Sequence, residues 1–301
     1  MKFSAVRDFL AVAERGGLRA AARHLGMAQP VITRSIQELE KELGVALFER
    51  SAKGVRLTPM GHTFLRRAHA VRSELQKAKE EIDQLRGEAH GTVTVCCSSV
   101  PHLALLPHAL NDFRKRFPDV VVHLIDAVFP NVETSLIEGR VDCYVGPTPA
   151  KLPRELQAEL LFENTRIILG RKGHPLAKAR SLKELVDARW VTTTVTHKAE
   201  DELGPLFAEH GLPPPREAMR AQSALSFLVA MAYTDLLMMV PVQWVQFPLW
   251  RDVLEQIHVK EPLLAPPVCI VKRAGLPLTP AADYFCDMVR RAAGHIPKGE
   301  G

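Results

Sequence analysis

Residues 18–44 read LRAAARHLGMAQPVITRSIQELEKELG. Leu18, Ala21, Ala22 and Leu25 recur at i, i+3, i+4 and i+7, the apolar stripe of a short helix. Gly26 supplies a turn. A second helix is predicted from Ala28–Pro30, with Pro30 in its first turn, where a missing N–H costs nothing. Its inward positions are Ile32, Ile36, Leu39 and Leu43, and Gly44 ends it. Gln29, Thr33, Arg34 and Gln37 lie on the opposite face. Such residues are common on any wet helix, but they also have the chemistry to read bases. Gln pairs with adenine, Arg with guanine, and Thr touches the thymine methyl.

Working outward, Phe3, Val6, Phe9, Leu10 and Ala13 predict a preceding helix that stops at Gly16-Gly17. Downstream, VALFERSAKGVRLTP (45–59) places two short apolar runs on either side of Ser51–Gly54. That pattern is a small hairpin with a basic tip of Arg50, Lys53 and Arg56. Three short helices and this hairpin make a winged helix-turn-helix. Arg19 and Arg23 on its second helix are placed to hold a nucleic-acid backbone.

A long helix is predicted from Pro59 to about Arg86. Phe64, Ala68, Val71, Leu75, Ala78, Ile82 and Leu85 follow one another at alternating spacings of four and three, a heptad seam. A helix packed on its own domain calls for a wider apolar face. The narrow seam therefore points to a two-helix coiled coil and a dimer.

Charge follows the same division. Residues 1–90 hold 16 Lys/Arg against 11 Asp/Glu, and residues 91–301 hold 23 of each. The whole net charge of +5 thus sits in the first third of the chain, which fits a polyanion-binding module attached to a neutral body. No apolar run reaches the length of a membrane span, and the first residues lack a signal-peptide core. The expected location is the cytoplasm. Cys96, Cys97, Cys143, Cys269 and Cys286 show neither CxxC nor zinc spacing and read as buried, reduced thiols. No cofactor or metal is expected.

After GEAHG (87–91) strand and helix patterns alternate. Strands are expected at 92–98, 120–126, 141–145, 166–170, 190–195, 236–240, 255–259 and 267–272. Helices are expected at 102–117, 131–139, 181–187, 200–210, 224–233 and 280–293. The alternation predicts an α/β body with parallel sheets covered on both faces, in two lobes. Ser98 and Ser99 fall at one strand-to-helix junction, and Thr193, Thr194 and Thr196 at another. Each hydroxyl taken alone is more often a helix cap than a ligand. Two clusters at corresponding positions mark a pocket whose rim includes Gly146–Thr148 and Gln222–Ser223. The neighbours Val100, Phe129 and Phe227 would suit an aromatic or hydrophobic acid.

The stretch 20–61 resembles the N-terminal signature of the LysR-type transcriptional regulators. The residues that carry the likeness are Ala21-Ala22, Gln29-Pro30, Leu39-Glu40, Leu43-Gly44, Leu47-Phe48, Arg50, Leu57-Thr58 and Gly61. The resemblance implies a winged helix-turn-helix (1–58), a coiled-coil linker helix (59–87) and an effector-binding domain (88–301). That last domain has two lobes of periplasmic-binding-protein type, lobe I at 91–163 and 267–301 and lobe II at 164–266. It implies major-groove contacts from Gln29, Pro30, Thr33, Arg34 and Gln37 and wing contacts from Arg50 and Lys53. The implied partners are promoter DNA bearing an inverted repeat, a small effector, RNA polymerase, and further copies of the chain in a homodimer or homotetramer. The resemblance also implies an effector between the lobes, and the residues expected around it are Ser98, Ser99, Val100, Phe129, Gly146, Thr148, Thr193, Thr194, Ser223 and Phe227. LRAAA, EEIDQLRG and LPLTPAA resemble the regulators of toluenesulfonate catabolism within the family, which favours an aromatic acid.

Two positions depart from the family pattern, Ala28 and Gly17, where Ser is usual. Losing a Ser cap for Ala costs roughly 1 kcal/mol at a helix end. Enzymatic motifs are missing: GxSxG, HExxH, the P-loop and GxGxxG do not occur in the chain. A redox-responsive regulator of the same architecture would need a reactive cysteine pair in lobe II, whereas all five cysteines map to lobe I. A solute-binding module would match 91–301 but would not carry a winged helix.

Overall fold

The computed structural model describes the chain except residues 52–53, 89, 194–199, 222, 247–249 and 297–301, together with the side chains of 50, 51, 54, 193, 200–202 and 246. It divides into two compact units. One comprises Met1–Glu88 with Thr134–Arg140, and the other Ala89–Glu133 with Val141–Gly301.

In the first unit, α1 (Phe3–Arg15), α2 (Leu18–Leu25) and α3 (Gln29–Leu43) pack around Phe9, Leu10, Ala21, Ile32, Ile36 and Leu39, all almost fully buried. Strands β1 (Phe48–Ser51) and β2 (Gly54–Leu57) pair antiparallel, Phe48 opposite Leu57 and Glu49 opposite Arg56. Helix α4 (Pro59–Leu85) follows. Its start explains the Leu-Thr-x-x-Gly motif. Thr58 caps the helix, its Oγ1 accepting from the Gly61 N–H at 3.0 Å and donating to the Ala46 carbonyl at 2.7 Å. A Cβ on Gly61 would lie 2.1 Å from the Leu47 carbonyl oxygen, so only glycine fits there.

The second unit holds one mixed sheet with the order β4-β3-β5-β11-β6-β9-β7-β8, and β10 pairs with β6. Strands β3 (Thr92–Cys97), β4 (Val121–Asp126) and β5 (Cys143–Pro147) are parallel. So are β7 (Arg189–Thr193), β8 (Arg216–Ala221) and β9 (Leu236–Pro241). The long strands β6 (Leu156–Arg171) and β11 (Leu264–Arg273) join the halves. They run antiparallel to each other, and β11 also runs antiparallel to β5 and β6 to β9. The expectation of purely parallel sheets is corrected by these two strands. A chain that passes between two parallel halves and returns must cross in opposite directions.

Period-2 alternation places the cores. Ile167, Leu169, Val191, Met238 and Val240 face one side of the second half, and Ile168, Trp190 and Leu237 face the other. Helices α6 (Leu106–Arg116) and α11 (Pro280–Ala293) bury Phe113, Phe285 and Val289 against Val93, Val95, Cys143 and Val145. The predicted helix 102–117 is broken at Leu105 into α5 (Ser99–Ala104) and α6, where Pro107 interrupts the N–H ladder. Helix α7 spans Glu133–Ile137, a 3-10 turn covers Leu182–Leu185, and α8 spans Glu200–Glu209. Helices α9 (Ala224–Tyr233) and α10 (Gln243–Gln246) and strand β10 (Leu254–Ile257) are the remaining elements among the described residues. No described helix is long and apolar enough to cross a membrane.

Candidate nucleic-acid interface and effector cleft

Helix α3 is aimed by its turn and by the buried side chains beneath it. Gly26 adopts φ 65°, closing α2, and the Met27 N–H reaches the Ala22 carbonyl at 2.9 Å. Ile32, Ile36 and Leu39 anchor the inner face, which leaves Gln29, Pro30, Arg34 and Gln37 exposed and Thr33 half-buried. The row expected from the sequence is therefore presented on one face. Ala28 makes no side-chain cap, so the first N–H groups of α3 remain available to an anion. Arg23 is exposed on the last turn of α2.

Three side-chain bonds organise this surface. Arg19 Nε donates to Gln29 Oε1 at 3.2 Å, Thr33 Oγ1 donates to the Gln29 carbonyl at 3.0 Å, and Arg34 Nε donates to Glu38 Oε1 at 2.8 Å. Glu40 joins α3 to the wing, its Oε1 accepting from the Leu47 N–H at 2.7 Å and the Phe48 N–H at 3.0 Å. Two N–H groups on one carboxylate oxygen make a rigid joint, because bonds to an ionised acceptor are the strong ones. Of the wing residues, Lys53 and the Arg50 side chain lie outside the described parts. Arg56, on β2, is exposed.

Along α4 the seam divides in two. Ala68 is 2% exposed and Phe64 meets the Phe9 ring edge-on at 4.8 Å, so both belong to the core of their own unit rather than to a dimer seam. Val71, Leu75, Ile82 and Leu85 are 43%, 49%, 56% and 69% exposed, and Ala78 is exposed as well. An apolar row of this kind left in water is what a partner helix covers.

In the second unit the C-terminal ends of β3 and β5 converge. Ser98, at the start of α5, is buried, and its Oγ has no hydrogen-bond partner. A Cβ on Gly146 would stand 2.8 Å from that Oγ and 2.4 Å from the Tyr144 hydroxyl. Gly146 thus keeps open the small space that these two groups border. The Tyr144 hydroxyl donates to the Pro147 carbonyl at 3.0 Å, and its ring receives Phe129 edge-on at 5.2 Å. Burial raises the Tyr144 phenol far above its ordinary range, and Asp126 at the end of β4 adds to that shift. Thr148 bonds the Cys269 thiol. Gln243 is buried at the start of α10, donating to Asn164 Oδ1 at 2.9 Å while its own Oε1 has no partner. Helix α10 packs against α5, the helix that Ser98 precedes. A buried polar atom without a partner costs about 1–3 kcal/mol, which a bound ligand would relieve.

Other expected rim residues have ordinary roles. Val100 and Phe227 are buried in apolar cores, 3% and 5% exposed. Ser223 caps α9, accepting from the Ser226 N–H at 3.2 Å. Ser99 is half-buried in the first turn of α5. Thr194 and Thr196, and the side chain of Thr193, lie outside the described parts. Sequence reasoning missed Tyr144 and Gln243. Their signal was a polar group inside otherwise apolar runs, CYVG and MMVPVQW. All five cysteines are buried and free. Burial pushes the Cys96 thiol up to about 11 and Cys97 further, which keeps both protonated and unreactive at neutral pH.

Known proteins share this arrangement. Residues 86–294 match the model described as LysR substrate binding domain, and residues 3–62 that described as bacterial regulatory helix-turn-helix protein, lysR family. The chain is 26% identical over 285 residues to the HTH-type transcriptional regulator GalR of Pseudomonas putida, covering 94% of this chain and 72% of that protein. It is 27% identical over 244 residues to GbpR of Azospirillum brasilense, covering 78% and 70%. Among solved structures, full-length CbnR complexed with its target DNA superposes with a TM-score of 0.70 at 24% identity, covering 97% of this chain and all of that one. A full-length OxyR variant from Pseudomonas aeruginosa gives 0.72 at 21% identity, covering 96% and 95%.

Proposed function

The chain belongs to the LysR family of bacterial transcriptional regulators, DNA-binding proteins with an effector-binding domain, and we propose how its residues divide that work. Gln29, Pro30, Thr33, Arg34 and Gln37 read base edges in the major groove. Arg23 holds phosphate, and Arg50 and Lys53 act from the wing. Val71, Leu75, Ala78, Ile82 and Leu85 pair two copies, so that two rows of α3 meet the two halves of an inverted repeat. The observation that carries this reading is the presentation of the polar row on α3, opposite Ile32, Ile36 and Leu39. A dimer of helix-turn-helix units places its recognition helices one turn of DNA apart, which a palindromic site mirrors.

The effector site is proposed at the ends of β3 and β5, where Ser98 Oγ has an unmet hydrogen bond, with Gly146, Thr148 and Phe129 around it, and with Gln243, whose Oε1 is also unmet, on the helix α10 that packs against α5. An aromatic acid is the class favoured by the sequence resemblance. Its carboxylate would sit at Ser98 and the first turn of α5, and its ring against Phe129.

Footprinting on the DNA flanking the chain's own gene tests the first part. Protection of a discrete inverted repeat in the presence of competitor DNA supports the reading, and uniform or no protection overturns it. A thermal-shift series with benzoate and arylsulfonates tests the second, since only a ligand of the folded state raises the melting point. A shift that Ser98→Ala abolishes supports the site, and a shift that survives Ser98→Ala overturns it.

A further inference from the structure

The unmet hydroxyl of Ser98 has an acidic neighbour. Its Oγ is buried and unpartnered at the C-terminal end of β3. In register, Cys97 lies beside Asp126 on β4 and beside Val145 on β5, and Ser98 is the next residue along. With strands about 4.8 Å apart and a rise of about 3.3 Å per residue, the Cα atoms of Asp126 and Ser98 stand about 6 Å from each other. Asp126 is exposed, and its carboxylate has no partner among the described residues.

The charge felt at these strand ends has one sign. Burial raises the Cys97 thiol, and Cys96 and then Asp126 add to the rise. On β11, Cys269 lies beside Gly146. Burial raises its thiol too, against the bond with Thr148, and Glu163 adds to the rise. No lysine, arginine or histidine among the described residues contributes to either shift. The His102 ring donates its Nδ1–H to the Ser98 carbonyl at 2.8 Å, a bond that a neutral ring makes. A ligand whose only charge is a carboxylate would bring it close to Asp126 with no cation to offset the two, and like charges in one site repel.

We propose that the effector is an aromatic α-amino acid, its carboxylate on the Ser98 hydroxyl and its ammonium on Asp126. This rests on the aromatic-acid reading of the site and adds the amine. An α-amino acid carries its ammonium one carbon from its carboxylate, which suits two anchors on neighbouring strands. The ring lies against Phe129, which meets Tyr144 edge-on at 5.2 Å. A charge-assisted hydrogen bond from the ammonium to Asp126 makes the amino acid bind about tenfold tighter than the same acid without its amine.

Isothermal titration calorimetry on the full-length protein tests this with matched pairs: L-phenylalanine, L-tyrosine and L-tryptophan, each against the acid that lacks its amine. At least one amino acid is expected to bind about tenfold tighter than its partner acid. Asp126→Asn, a change of one exposed side chain, is expected to remove that difference by weakening the amino acid and sparing the acid. Ser98→Ala is expected to weaken both. Wild-type protein that binds the acids as tightly as the amino acids, or binds none of the three amino acids, overturns the proposal. So does an Asp126→Asn protein that keeps the full preference. If the acids bind and lose their binding in Ser98→Ala but the amine adds nothing, the aromatic-acid reading stands and the proposal alone falls. If no amino acid and no aromatic acid binds, benzoate and arylsulfonates included, both fall.

Discussion

Glu40 offers the sharpest test of how the wing is fixed to the recognition helix. One carboxylate oxygen accepts from the backbone N–H groups of Leu47 and Phe48, at 2.7 and 3.0 Å. Hydrogen bonds to a charged group contribute about 1.5–3 kcal/mol each, and a stranded buried N–H costs a similar amount. The amides are only part-buried, so water replaces some of the loss. Glu40→Ala is therefore expected to cost about 2 kcal/mol locally. That corresponds to a rise of roughly 30-fold in the opening of this segment. Amide hydrogen exchange on the full-length protein reads it directly. Leu47 and Phe48 should exchange roughly 30-fold faster, while amides in the β3 and β5 strands keep their rates. Glu40→Gln retains an acceptor and should recover about half the effect on a logarithmic scale. DNA affinity should fall in the same order, because wing and helix no longer present a single surface. Unchanged exchange at both amides in Glu40→Ala would refute the reasoning.

Three further outcomes are expected. Ile82→Asp, at a position 56% exposed on the α4 seam, should lower the mass in sedimentation toward the monomer and abolish high-affinity DNA binding; an unchanged dimer would remove the seam from the interface. Gly146→Ala, whose new Cβ would meet Ser98 Oγ at 2.8 Å and the Tyr144 hydroxyl at 2.4 Å, should eliminate effector-induced thermal shifts while leaving DNA binding intact. Retained shifts would move the site elsewhere. The five thiols should resist an aromatic disulfide reagent in the native protein at pH 7 and all react after denaturation; rapid native labelling would reopen a redox role.

The first unit was legible in the sequence because its signals are local. The i, i+4 and i+7 spacings around Ile32 and Leu39, the glycine turns and the Leu-Thr-x-x-Gly stop each act within a few residues. The seam of α4 was legible too, but its first two members serve the core, since Phe64 and Ala68 still lie beside α1. The second unit was less so. Strand β8, REAMRA, is a polar edge strand whose residues are mostly exposed, and only its pairing with β7 makes it a strand. The first half of β6 carries Glu159 and Glu163 and owes its extension to β11. Ser98 and Gly146 stand out in the sequence because strand-to-helix junctions announce themselves. Tyr144 and Gln243 were missed because inside apolar runs they resemble packing residues until their polar atoms are located. The pairing of Arg19 with Gln29 could not be read from spacing, since it depends on the angle between α2 and α3.

The most direct measurement compares binding of the full-length protein to its inverted repeat with binding to the same DNA carrying one scrambled half-site. Two α3 rows held by one α4 pair should lose at least about 100-fold in affinity when half the site is removed, as several mismatches at about 1–3 kcal/mol each require. Equal binding to both DNAs would contradict the two-fold reader.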